Sequence, residues 1–278
     1  MNKVVSILIL VTLSVWLAVF NIDNNLQIIA CDVGQGDAIL IQQKSFQILV
    51  DGGPNNKVLN CLGKHLPFWD RKIEVVILTH PDLDHYGGLV DLLKNYKIEN
   101  FFTNGYTSSS QEYQVLEKEV GGKGLGGRYL KSGMVIRYDL IHLDILNPED
   151  NNQEPINNNQ TDGDNNQSIV ILLNYGQFKA LLTGDAEQEV SDRLSKLQKI
   201  QNIDYIKVNH HGSKNGMTEN LLKVTNPAIA VISAGVKNRY GHPSAEILEM
   251  LNKYGVKILR TDEMGDVVVK TDGKSLAY

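Results

Sequence analysis

Cysteine is nearly missing from this chain: Cys31 and Cys61 are the two among 278 residues. Two are too few for a disulfide framework, and no Cys-x-x-Cys spacing occurs. Cys31 falls in a strand pattern, where it reads as a small buried residue, so cysteine usage leaves the redox compartment open. An excess of basic charge is missing too. Lys and Arg number 27 against 32 Asp and Glu, a formal net charge of −5, which excludes a protein that wraps nucleic acid by bulk electrostatics but leaves room for a local basic patch. No internal repeat is visible, and past residue 20 there is no second long hydrophobic run. With 42% hydrophobic and 21% charged residues, the chain suits one α/β domain of about 250 residues.

The exception to the polar composition is the N-terminus. Val4 to Phe20 is 17 residues without a charge, preceded by Lys3. As a helix it would be about 25 Å long, the size of a secretory apolar segment or a short membrane span. An Ala-x-Ala cleavage site is lacking, residues 18 to 20 being Ala, Val and Phe. An uncleaved signal anchor is therefore preferred to a signal peptide, with Lys3 held in the cytoplasm and the rest of the chain outside the membrane. A buried N-terminal helix is disfavoured because the segment has no polar face. Residues 1–25 are thus expected to be the targeting segment and 26–278 one domain, either tethered to the membrane or secreted.

Beyond it, strands and helices alternate. Leu26 to Cys31, Ile39 to Gln42 and Phe46 to Val50 read as short strands, Lys57 to His65 and Gly88 to Asn95 as helices. A helix over Gln111 to Val120 and strands over Met134 to Ile136 and Ile141 to Leu146 follow. Asn147 to Gln167 holds eight asparagines in 21 residues and reads as a solvated loop. Ser168 to Tyr175 and Phe178 to Leu182 form a hairpin around Tyr175-Gly176. The last third repeats strand and helix through Tyr205 to Val208, Glu219 to Val224, Ile229 to Ser233, Ala245 to Leu251 and Val256 to Arg260. Hairpins mixed with covering helices imply a layered α/β architecture.

Chemistry concentrates at strand ends. The apolar run Val75 to Leu78 opens into Thr79-His80-Pro81-Asp82-Leu83-Asp84-His85, followed by Gly87 and Gly88. Each such residue alone would be an ordinary turn residue. Two imidazoles and two carboxylates within six positions are different, because clustered carboxylates repel unless a cation compensates them, and the mixed donor set suits a first-row metal. Three other strand patterns end in candidate ligands. Ile48 to Val50 leads to Asp51-Gly52-Gly53, Ala180 to Thr183 to Gly184-Asp185, and Tyr205 to Val208 to Asn209-His210-His211-Gly212-Ser213. All four could converge on one rim of a sheet.

Taken together, DVGQGDAIL (32–40), LVDGGP (49–54), THPDLDHYGGL (79–89), NNQSIVILL (165–173), LLTGDAE (181–187), NHHGS (209–213) and YGHPS (240–244) resemble, in order, the motifs of the metallo-β-lactamase superfamily. The wording is most similar to the extracellular hydrolase domain of ComEC-type DNA-uptake proteins. The resemblance implies an αββα sandwich, two mixed sheets packed face to face with helices outside. It implies two divalent metal ions, with His80 and Asp82 in one site, Asp84, His85 and His211 in the other, and Asp185 bridging. His210 or His242 would be free for substrate or proton transfer beside Asp84. Asp51, Asn165 and Ser168 match positions near the site, and Ser213, Lys214 and Arg239 would support it or meet substrate. The wider superfamily has His where Asp82 stands, and a further superfamily histidine is replaced here by the Asn165 to Ser168 region. A harder oxygen donor lowers the preference for zinc and raises it for manganese or magnesium, so Mn or Zn is expected, with Mg as a third option. His142, within a strand pattern, is expected to be structural.

Two such cations activate a bridging water and neutralise charge developing on a phosphoryl oxygen. Asp82, Asp84 and Asp185 would leave the site cationic, and Lys207, Lys214, Lys237 and Arg239 would form a basic rim, away from the acidic residues Glu149, Asp150, Glu154, Asp162 and Asp164. The expected activity is hydrolysis of a phosphodiester, DNA included, outside the cytoplasmic membrane. Alternatives are hydrolysis of other esters, such as choline-phosphate esters of the cell wall or a β-lactam, with Trp69, Tyr86 and Tyr240 lining a pocket, or metal-dependent DNA capture without turnover. No protein partner is implied.

Overall fold

The structure, a computed structural model, describes residues 5–9, 11–13, 25–149 and 165–278. Residues 5–9 and 11–13 are helical, and among the described residues no helix is long and apolar enough to cross a membrane. The expectation for residues 1–25 falls largely outside the described residues, as do Asp150, Glu154, Asp162 and Asp164.

The first half of the domain builds one sheet. Strands β1 (Leu26–Ala30), β2 (Ile39–Gln43) and β3 (Phe46–Val50) form an antiparallel meander, and β4 (Lys72–Ile77) and β5 (Lys97–Phe102) then add in parallel. The second half builds the other from β6 (Val135–Tyr138), β7 (Ile141–Asn147), β8 (Val170–Tyr175), β9 (Phe178–Leu182), β10 (Tyr205–Lys207), β11 (Ile229–Ile232) and β12 (Lys257–Arg260). The chain then returns, and β13 (Val267–Thr271) and β14 (Leu276–Ala277) extend the first sheet on the far side of β1. Two seven-stranded sheets result, ordered β14-β13-β1-β2-β3-β4-β5 and β12-β11-β10-β9-β8-β7-β6.

Strand periodicity decides the layers. Alternate residues of β1, Leu26, Ile28 and Ala30, join Leu143, Ile145, Ile171 and Leu173 of the opposing sheet in the core between the sheets. The intervening Ile29 and Cys31 face the other way, toward the helices Lys57–His65, Leu89–Asn95 and Gln111–Gly122. The second sheet is covered likewise by Gln188–Leu194, Glu219–Thr225 and Ala245–Lys253. This is the expected αββα sandwich. Strands apolar on both faces, such as β3 with all five residues buried, are what a sheet covered on both sides requires.

Cys31 is more than a packing residue. It forms a disulfide with Cys61, thirty residues on, where the helix Lys57–His65 passes over the end of β1. Both cysteines are buried, and closing a loop of this length stabilises a domain by about 2–4 kcal/mol. Strand and helix patterns give each cysteine's face but not which elements stack, so the pairing is not readable from spacing.

Candidate metal centre

The C-terminal ends of β3, β4, β9, β10 and β11 meet at one edge of the sandwich, and each contributes one piece of the site. Asp51 follows β3 in a left-handed conformation, φ 61°. Its carboxylate is buried and fully used: Oδ1 accepts from the Thr79 amide at 2.8 Å, and Oδ2 accepts from the Thr79 hydroxyl and from His85 Nδ1, each at 2.8 Å. Asp51 is therefore a support for the loop Thr79 to His85.

These contacts fix tautomers. The Thr79 hydroxyl has one proton and gives it to Asp51, so it accepts at 3.0 Å from His80 Nδ1. His85 Nδ1 donates to Asp51, and His211 Nδ1 donates to the Ser233 carbonyl at 3.1 Å. In all three rings the proton sits on Nδ1, leaving the Nε2 lone pair turned inward. His80, His85 and His211 are 0–1% exposed, and none of their Nε2 atoms has a hydrogen-bond partner. Buried acceptors without partners are costly. Here they face carboxylates: His85 Nε2 is 3.3 Å from Asp185 Oδ1, and His211 Nε2 is 3.3 Å from both Asp185 Oδ2 and Asp84 Oδ2. Donor atoms of Asp84, His85, Asp185 and His211 all lie within 4.8 Å of one another. Lone pairs facing carboxylates fit a divalent cation, held by imidazoles whose outer nitrogens are already tied down. His80 sits beside this group, its ring 4.1 Å from that of His85 and its Nε2 3.7 Å from Asp82 Oδ2.

Without a cation, protons do the same work. Burial disfavours charge on His85, yet Asp185 and Asp51 outweigh it and hold the imidazole well above its usual range; for His211 the opposing carboxylates are Asp185 and Asp37. Asp185 is buried as well, and His211 and His85 nonetheless hold it well below the usual carboxylate range. The stabilisation from the raised histidines is complete below about pH 6.5 and is lost as pH rises through their folded pKa values. A cation must displace those protons, so its stabilisation grows with pH. Melting temperatures of chelator-treated protein are expected to fall as pH rises above neutrality, and the gain on adding Mn²⁺ or Zn²⁺ to increase; a gain independent of pH would contradict the assignment.

The tandem histidines divide their roles. His210 and His211 both have positive φ, 47° and 54°, and Gly212 follows at 84°, a left-handed run that costs free energy and persists only where surroundings impose it. The result sends His211 inward and leaves His210 half-buried, with Nε2 3.7 Å from Asp185 Oδ2 and Nδ1 3.4 Å from Glu187 Oε1. Asn165 Nδ2 donates to that same Glu187 oxygen at 3.2 Å. His242 lies next, its ring 5.8 Å from that of His210; burial first, then the neighbouring histidines, lower its pKa. Ser168 is buried, and its hydroxyl accepts at 3.2 Å from the Asp185 amide. Ser213 caps its own turn, accepting from Asn215 N at 3.3 Å.

The expected basic rim needs correction. Lys207 is fully buried, with Nζ 2.9 Å from Asp37 Oδ2 and donating to the Val208 carbonyl at 3.0 Å. The reason is strand alternation at the end of β10, which turns this side chain inward to the site's floor. Lys214 and Lys237 are exposed, and among the described residues no ion pair or hydrogen bond joins their side chains to the cluster. Arg239 is exposed too, but it lies on an open groove of about 630 Å³ that includes Asp84, Lys57, Gln35, Asn55, Asn238 and Tyr240. Of the three aromatic candidates only Tyr240 reaches this groove. Tyr86 is buried and bonded to Ser110 Oγ at 2.7 Å, and Trp69 lies elsewhere. His142 is exposed on β7, opposite Asn174, and takes no part.

Asp37 and Lys57 are the residues that motifs alone do not single out. Asp37 stands inside the stretch 32–40, whose wording gives it no role. Its neighbour Gly36, φ 137°, would place a Cβ 2.2 Å from the Asp84 carbonyl, so only glycine lets this loop lie against the ligand loop, where Asp37 N donates to Asp84 O at 3.1 Å.

This edge-on cluster at the open rim of an αββα sandwich defines a metallo-hydrolase architecture, and the sequence profile of the metallo-beta-lactamase superfamily matches residues 31–236; the chain belongs to that superfamily. Among curated relatives it is 29% identical over 255 residues to ComE operon protein 3 of Bacillus subtilis and 31% identical over 247 residues to Recombination protein 2 of Haemophilus influenzae. These alignments cover 85% and 87% of this chain but 32% and 28% of the relatives, so the chain spans about a third of their length. Of solved structures, the metallo-beta-lactamase fold protein YhfI from Bacillus subtilis superposes with a TM-score of 0.60 at 13% identity, covering 88% of this chain and all of that one. CmlA, a diiron β-hydroxylase from Streptomyces venezuelae, superposes at 0.56 with 12% identity, over 90% and 54% of the two chains. Both show the fold alone.

Proposed function

We propose that this protein is a metal-dependent phosphodiesterase acting on DNA outside the cytoplasmic membrane. The observation that carries the reading is the groove: it is open to solvent and is lined by the cations Lys57 and Arg239, the amides Gln35, Asn55 and Asn238, and Asp84 of the ligand cluster. An open cleft with cations beside the ligand cluster suits a polymeric anion better than a small enclosed ester. A further relative, Competence protein ComA of Neisseria gonorrhoeae, is 24% identical over 253 residues, and its name supports a role connected with competence.

His80, Asp82, Asp84, His85, Asp185 and His211 would hold two divalent ions. Bound there, they supply Lewis acidity toward a phosphoryl oxygen and activation of water. The chain's own residues do the rest. Lys57 and Arg239 orient backbone phosphates along the groove, with the Arg239 guanidinium resting over the Tyr240 ring at 4.9 Å. His210, backed by Glu187, and His242 stand where a proton can be delivered to a leaving oxygen.

The test compares substrates. Full-length protein with Mn²⁺, Mg²⁺ or Zn²⁺ is expected to hydrolyse single- or double-stranded DNA, and Lys57→Ala/Arg239→Ala to raise KM for DNA by about 10-fold while leaving a small chromogenic phosphodiester unaffected; loss of two phosphate contacts acts on binding of the polymer. Efficient turnover of choline-phosphate esters with none of DNA would reject the DNA reading.

A further inference from the structure

The edge opposite the metal centre carries a feature that catalysis does not use. Pro67 to Asp70 form a tight turn closed by Asp70 N donating to the Pro67 carbonyl at 2.9 Å. Its two central residues, Phe68 and Trp69, are 79% and 72% exposed and pack edge to face on each other, ring centroids 4.8 Å apart. The turn itself is anchored: Asp70 Oδ2 accepts from Gln47 Nε2 at 3.0 Å, and Asp70 Oδ1 from Lys72 N at 3.3 Å. Adjacent large aromatics fixed in water on an ordered turn indicate a surface that something apolar covers.

Sheet register locates that surface. Leu26 opens β1 and stands opposite Thr271; Gln43 pairs with Phe46, which opens β3; and β4 begins at Lys72, alongside. The entry of the chain into β1 and the Phe68–Trp69 turn before β4 are therefore on the same edge, three strand spacings or about 14 Å apart. The β6–β7 turn is there too, with Leu140 56% exposed and Tyr138 stacked on Phe46. The uncharged stretch Val4 to Phe20 precedes β1 by residues 21–25 alone, a length of chain that reaches at most about 20 Å. Exposed Lys44, Arg71 and Lys97 lie on this edge as well, together with exposed Asp139 and Asp272.

We infer that the Phe68–Trp69 turn is a membrane-interface foot: it inserts at the headgroup level of the bilayer that receives the N-terminal apolar segment, and so points the metal centre away from the lipid. Tryptophan and phenylalanine suit that boundary region. The short connection to β1 brings this edge within reach of the membrane. The five residues of β3 then hold Asp51 about 17 Å farther out, with the groove open to the aqueous side. The inference rests on the membrane reading of the N-terminal segment and is independent of substrate.

The test uses the full chain with Trp16→Phe, which leaves Trp69 as its one tryptophan. Reconstituted into vesicles of phosphatidylcholine and phosphatidylglycerol, it is expected to show blue-shifted Trp69 emission, quenched by lipids brominated near the headgroup and shielded from aqueous iodide. Adding Phe68→Asp is expected to abolish the lipid quenching while leaving hydrolytic activity unchanged. Protein that floats with the vesicles but whose Trp69 is quenched by iodide and not by brominated lipid would overturn the foot and leave the anchor standing. Protein that does not float with the vesicles at all would overturn both. Neither result bears on DNA hydrolysis, which is read separately in detergent.

Discussion

Asp185→Asn is expected to lose divalent metal and, with it, hydrolysis, by about 10²–10³-fold or more in kcat, the scale on which losing one preorganised charge-stabilising group is felt. The carboxylate faces two lone-pair donors at 3.3 Å, one through each oxygen, and its backbone is held by Ser168. An amide of the same shape keeps that backbone bond but removes the charge and one acceptor. The substitution also removes the leading cause of the raised His85 and His211 pKa values. The metal-free variant should therefore lose the stabilisation that the parent shows below about pH 6.5. Metal content by mass spectrometry, kcat and the pH dependence of melting read the three effects. A variant that retains full metal occupancy would remove Asp185 from the ligand set.

Asp37→Ala is expected to destabilise the fold by about 3–5 kcal/mol, since it leaves Lys207 as a buried charge with no counter-ion. The pair is 0–1% exposed with its ions 2.9 Å apart. Burial works against the Asp37 carboxylate, but Lys207, then His211, keep its pKa below the usual range. The loss corresponds to a fall in melting temperature of roughly 10 °C. Asp37→Leu with Lys207→Met should recover much of it, because an apolar pair of similar volume escapes the desolvation cost. A single Asp37→Ala variant that melts with the parent protein would show that the ion pair contributes nothing.

Which parts of this are legible in the sequence follows from where the information lies. His80, Asp84, His85, Asp185 and His211 each sit a few residues past a strand, and strands that run the same way deliver their ends to one edge, so the cluster can be anticipated one loop at a time. The helix Lys57–His65 is readable to the residue because its apolar positions keep one face. Contacts between elements are not. Cys31 and Cys61 meet because a helix crosses the end of β1. Lys207 turns inward by strand parity, while a loop lysine and a strand-end lysine look alike in one dimension. Trp69 suits a pocket only in being aromatic, whereas register puts it at the opposite edge from the site. Lys57 has no signal at all, since its place on the groove it shares with Asp84 depends on a helix start and a loop meeting across that groove.

We propose that the residues meeting at the strand ends form a divalent-metal centre that cuts phosphodiesters. The most direct measurement is DNA cleavage by metal-stripped full-length protein on re-addition of Mn²⁺, Mg²⁺ or Zn²⁺, in parallel with Asp84→Ala. Cleavage that requires the ion, saturates at a fixed metal-to-protein ratio and disappears in the variant is the predicted result. Tight metal binding with no cleavage by any ion, or cleavage that survives Asp84→Ala, would contradict it.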